Sequence, residues 1–146
     1  MNEALQSIAL ANQNKAIKAL GLVSASLSEY QKFDPNLAYT PKALEPYDAL
    51  ADRFVRAVEC ALRYFRSREL LEFAEQSDTT RSLLNRMEKL GLVSDANLWM
   101  TMRNVRNRIV HDYLPEQTAE IFDLISGIYG NELLRLAEKI SPSQQD

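Results

Sequence analysis

An all-α protein, an up-and-down bundle of four or five helices, is the fold class this sequence predicts, and three observations carry that expectation. Apolar residues recur at i, i+3 and i+4 along nearly the whole chain, the spacing that gathers them on one face of a helix. Only four glycines and five prolines occur in 146 residues, so helix breakers are few and fall between the periodic stretches. The strict apolar and polar alternation of a half-buried strand is almost absent.

Each element follows from its residues. Leu5, Ile8, Ala16, Ala19, Leu20, Val23, Leu27 and Tyr30 share one face and predict a long first helix that tolerates Gly21 in its interior. Phe33 to Tyr39, with Asp34, Pro35 and Asn36, reads as a loop. A second helix starts near Pro41 or Pro46, because proline suits a first helical turn. It carries Leu50, Phe54, Ala57, Ala61 and Phe65 inward and runs to about Ala74. Asp78 or Thr79 can cap a third helix from Thr80 to Leu90, with Gly91 as its stop. A fourth begins after Ser94 or Asp95 with the stripe Leu98, Met102, Val105 and Ile109, and Trp99 beside it as a core anchor. Ile121, Leu124, Ile125, Ile128, Leu133, Leu136 and Ile140 mark a fifth. Residues 1–140 therefore read as one domain, and 141–146 as a frayed polar tail.

Composition narrows the function. A chain with 46% hydrophobic and 25% charged residues has the make-up of an ordinary globular protein. The lone Cys60 cannot form an internal disulfide, which fits a reducing compartment and a small buried side chain. Without a basic start followed by an apolar run, and without a stretch of about 20 apolar residues, the expected location is soluble and cytoplasmic. Glycine-rich phosphate loops, CxxC pairs, a Ser-His-Asp order and internal repeats are all missing, so no cofactor and no metal are expected. Glu69, Glu72 and Glu75 read as a solvated acidic face.

The chemistry concentrates in Arg103-Asn104-Val105-Arg106-Asn107-Arg108-Ile109-Val110-His111-Asp112-Tyr113, which holds the only histidine. Eleven arginines and six tyrosines in 146 residues give an Arg-x4-His-x-Tyr spacing around one histidine a chance level of roughly 0.3%, and Asn107 lowers it further, so the pattern carries information. No acid lies between Ala96 and His111, and the three arginines form a basic island in a chain of net charge −3, where an anion would sit. Histidine titrates near neutrality and arginine stabilises charge developing on a phosphate, so the pair suits cleavage of RNA, whose 2′-hydroxyl is a built-in nucleophile needing no metal. A histidine packed between neighbours and an ordinary solvated arginine face fit the same residues.

Geometry adds a condition. At 100° per residue, Arg106 and His111 stand about 140° apart on a straight helix. Either the helix ends or distorts before His111, which Pro115 favours, or a symmetric dimer completes the site from two copies, which would also supply the second acid or base that one histidine lacks.

Arg106-Asn107-x3-His111-x-Tyr113, with Gly91-Leu92-Val93 and Trp99 before it, resembles the HEPN superfamily, and more narrowly the HepT toxins and the related nucleotidyltransferase substrate-binding proteins. The likeness is sharp over Trp99 to Tyr113 and looser from Val55 to Ile140. It implies a helical bundle that dimerises through the motif region and cleaves RNA without metal at the cleft between subunits. It also implies a toxin paired with a minimal nucleotidyltransferase antitoxin that adenylylates the tyrosine two residues after the histidine, here Tyr113. In that reading Arg106 and His111 are catalytic, Asn107 orients one of them, and Arg103 and Arg108 contact RNA or nucleotide. The alternative is a catalytically silent helical subunit that binds a nucleotidyltransferase and its substrate.

Overall fold

A computed structural model describes residues 2–111 and 114–142; for Val110 and His111 it describes the backbone alone. The described residues are helical with no strand, and they form the all-α bundle that the periodicity predicts. Helix α1 (Asn2–Ser28) turns Ala16, Ala19, Leu20 and Val23 inward. Helix α2 (Pro41–Phe73) begins where Thr40 Oγ1 accepts the Ala43 N–H at 3.1 Å, with Pro41 in its first turn, and ends at Ala74 in the left-handed region. At 1.5 Å per residue its 33 residues span about 50 Å, so it is the spine on which the others pack.

Helix α3 (Thr80–Lys89) starts under a Thr79 cap, whose hydroxyl accepts the Ser82 N–H at 3.0 Å, and is stopped by Gly91 at φ +80°. The next rod is in two pieces, α4 (Ala96–Arg103) and α5 (Val105–His111), and Asp95 caps the first through the Asn97 N–H at 2.9 Å. The last rod is also divided: α6 (Pro115–Leu124), a π-helical turn at Ile125–Tyr129, and α7 (Gly130–Ile140). Among the described residues five rods result, two of them broken. Trp99, Tyr64, Phe54, Phe65, Leu20, Leu84 and Met87 fill the centre with almost no exposed surface.

Several expectations need correction. The fifth helix is not continuous: Gly127, at φ −106° and ψ −111°, leaves helical geometry and α7 restarts at Gly130. A Cβ on Gly130 would stand 2.4 Å from the Ile125 carbonyl oxygen, so this close approach requires glycine. Ile128, assigned to the inner stripe, is 57% exposed because the extra residue of the π turn rotates it outward, and Ile8 near the start of α1 is 53% exposed. Glu69 is buried rather than solvated. Its carboxylate accepts the Ser77 N–H at 3.0 Å and hydroxyl, and Arg86 at 3.1 Å, tying the α2–α3 connection to both helices. Among the described residues no helix is long and apolar enough to cross a membrane.

Candidate active site

The site is built from the anchor upward. Glu132 on α7 is 5% exposed, yet its two oxygens have four partners. They accept the Trp99 indole N–H at 2.7 Å, the Ser94 N–H at 3.0 Å and hydroxyl at 2.7 Å, and Arg135 at 3.2 Å. Burial alone raises the Glu132 carboxyl, but the bonds from Arg135, Ser94 and Trp99 outweigh it and hold the group below its ordinary value. Because Ser94 precedes α4 and Trp99 lies within it, this one carboxylate seats the start of the motif-bearing rod on α7.

Five residues beyond Trp99 the rod breaks. Asn104 is a turn residue, and its carbonyl accepts from Asn107 at 3.1 Å and from Arg108 at 3.3 Å, starting α5 afresh. Met102 and Val105 on either side are buried, so the break is held from below while Arg103, Asn104, Arg106 and Asn107 are exposed. Arg106 reaches α2 and donates to Glu59 Oε2 at 2.6 Å, with the two side chains 67% and 45% exposed. This pair divides two clefts. One, of about 270 Å³, is lined by Arg103, Asn104, Arg106 and Asn107 against Glu59 and Leu62 of α2. The other, of about 340 Å³, lies between Arg106, Ile109 and the Asp52, Arg56 and Glu59 face of α2.

The structure thus gathers three of the expected site residues, Arg103, Arg106 and Asn107, around one cleft. The Asn107 amide makes no hydrogen bond among the described residues, so nothing there shows it orienting a neighbour. Arg108 is elsewhere: it pairs with Glu120 of α6 at 2.9 Å and lines neither cleft. The His111 side chain and Tyr113 lie outside the described residues. The helix does distort, but at Asn104, before both members of the pair. Arg106 and the His111 backbone remain on the same helix, α5, so this break does not shorten the angular separation between them.

Two participants escaped the sequence. Glu59 lies 47 residues from Arg106, and Glu132 lies 33 from Trp99. The only local sign of Glu59 is an acid on the polar side of α2, four and seven residues from Val55 and Asp52.

A family model described as nucleotidyltransferase substrate binding protein like matches residues 9–142. No curated protein and no solved structure matches the chain. The helical bundle, the motif break over α2 and this match over nearly the whole length agree: the chain belongs to the HEPN-like HepT family of nucleotidyltransferase substrate-binding proteins.

Proposed function

We propose that the chain is a metal-independent HEPN-type endoribonuclease, the cytoplasmic toxin of a pair whose antitoxin is a minimal nucleotidyltransferase. The observation that carries this reading is Arg106, exposed at the junction of two clefts, with Arg103 and Asn107 beside it on the rod that leads into His111. A phosphate of RNA would displace Glu59 and accept from the guanidinium, since an exposed ion pair is weakly held and a phosphodiester offers the guanidinium two oxygens that share one negative charge. His111 of one copy would take the proton of the 2′-hydroxyl, whose oxygen attacks phosphorus. The 5′-oxygen would leave with a proton from His111 of the second copy, giving a 2′,3′-cyclic phosphate and a 5′-hydroxyl end. A homodimer is part of the proposal because α5 keeps Arg106 and His111 five residues apart on one helix. Tyr113 is the proposed site of adenylylation by the antitoxin; bulky phosphates there would pair with the nearby arginines and withhold them from RNA.

An RNase assay on the purified chain tests this. Arg106→Ala and His111→Ala should each lower cleavage by on the order of 10²–10⁴ while EDTA changes nothing, and sedimentation should give twice the monomer mass. Cleavage that survives His111→Ala, or that EDTA abolishes, would overturn the mechanism.

A second reading has its own support. Glu59 already neutralises Arg106, which suits a helical subunit that binds a nucleotidyltransferase and its substrate without cutting RNA. A chain that binds the nucleotidyltransferase equally well with and without His111, and never cleaves, is that subunit.

A further inference from the structure

A cavity larger than either cleft lies away from the motif. A groove of about 650 Å³ runs between the last turns of α1, the loop after it and the first turns of α2, and none of its lining residues lines either cleft at Arg106. Its volume lies in the range of small-molecule sites. Leu50 and Tyr47, both buried, contribute to its wall, and Tyr30 adds a half-buried ring that meets Tyr47 edge to face with centroids 6.0 Å apart. The Tyr47 hydroxyl donates to the Gln31 carbonyl at 2.7 Å, so this wall is held in place before any ligand arrives.

Arg53 gives the groove its charge. Its Nη1 donates to Ser26 Oγ at 2.8 Å and to the Leu22 carbonyl at 3.2 Å, which pins the guanidinium across α1 and α2. Both bonds use one nitrogen. Among the described residues Nε and Nη2 have no hydrogen-bond partner and no carboxylate pairs with the group, so a cation with unspent donors borders an aromatic wall. Glu29 on the rim repels additional negative charge, which restricts the ligand to one compact anionic group.

We propose that this groove binds a small aromatic anion, a flat ring carrying one phosphate or carboxylate. The ring lies against Tyr30 and Leu50, and the anion accepts from the free side of Arg53, because a planar guanidinium suits both anions and an aromatic face suits a planar ring. The site is independent of ribonuclease activity and stands or falls without it.

Calorimetric titration of the full-length chain is the test. Adenosine monophosphate and indole-3-acetate serve as phosphate and carboxylate probes, and adenosine and inorganic phosphate as ring-only and anion-only controls. At least one anionic probe should bind with a Kd of about 1 mM or tighter, and the controls at least tenfold more weakly; which probe binds identifies the anion. Arg53→Met should weaken binding at least tenfold. Ala25→Phe, at an exposed lining position, should block the groove without moving the thermal midpoint, and Arg106→Ala should leave affinity unchanged. Failure of both probes to bind at 10 mM, binding that survives Ala25→Phe, or loss of binding in Arg106→Ala would each overturn the proposal.

Discussion

Glu132 and Glu59 each hold an arginine, at 3.2 Å to Arg135 and at 2.6 Å to Arg106, but the first carboxylate is 5% exposed and the second 45%. The shorter contact is the weaker one. Glu132 itself is buried and every lone pair not spent on Arg135 is used by Trp99 or Ser94, so removing the carboxylate strands the buried Trp99 N–H. Around Glu59 solvent screens the pair and either partner can turn to water or to a ligand. Identical charges therefore serve as a structural joint in one region and as an exchangeable contact in the other, and environment rather than distance decides which.

The largest expected effect breaks the buried joint. Glu132→Ala leaves the Trp99 N–H without its partner and Arg135 with only the Gly91 and Leu92 carbonyls, and should cost about 3–5 kcal/mol, lowering Tm by roughly 10 °C in a chain of this size. A fall of only two or three degrees in a thermal melt would show that burial adds little to this pair. Next is Trp99→Phe, which keeps most of the ring and removes one donor. It should cost about 1–3 kcal/mol by denaturant titration, and its effect should shrink in a Glu132→Gln background because the two groups share one bond.

Acid sharpens the same contrast. The folded-state Glu132 carboxyl is held below its ordinary value of 4.5, so the unfolded chain binds its proton first. Its contribution is fully present above about pH 4.5 and is lost as pH falls through the lower folded value. Stability measured from pH 6 to pH 3 should drop less steeply in Glu132→Gln than in the native chain. The smallest effect is Glu59→Gln on stability itself, within about 0.5 kcal/mol at neutral pH, together with a few-fold gain in affinity for a short RNA as Arg106 is released. A loss of RNA affinity in that variant would mean that Glu59 orients Arg106 rather than competing for it.

Residues 9–142 match a single family model, and the motif that carries the family likeness was legible from spacing alone, since Arg106, Asn107 and His111 are close in sequence. The site's other half was not. Glu59 meets Arg106 only because α5 packs beside α2, a contact between segments 47 residues apart that no local pattern announces. Glu69 misled because its spacing with Glu72 and Glu75 matches a solvated stripe, and only the folded α2–α3 connection brings Ser77 and Arg86 over it.

The residues alone placed the helical stretches, a cap at Asp78 or Thr79 and another at Ser94 or Asp95, the stop at Gly91, most of the core and the position of the basic motif. These are local properties: an amphipathic period, a side-chain oxygen beside orphan N–H groups and a glycine that adopts positive φ are each written within a few residues. Only the tertiary structure decided the breaks at Asn104 and Gly127, the burial of Glu69 and Glu132, and the pairing of Arg106 with Glu59. Each of those depends on which surface a helix meets, and a carboxylate's partner, unlike its helix, is chosen by packing between segments far apart in the chain.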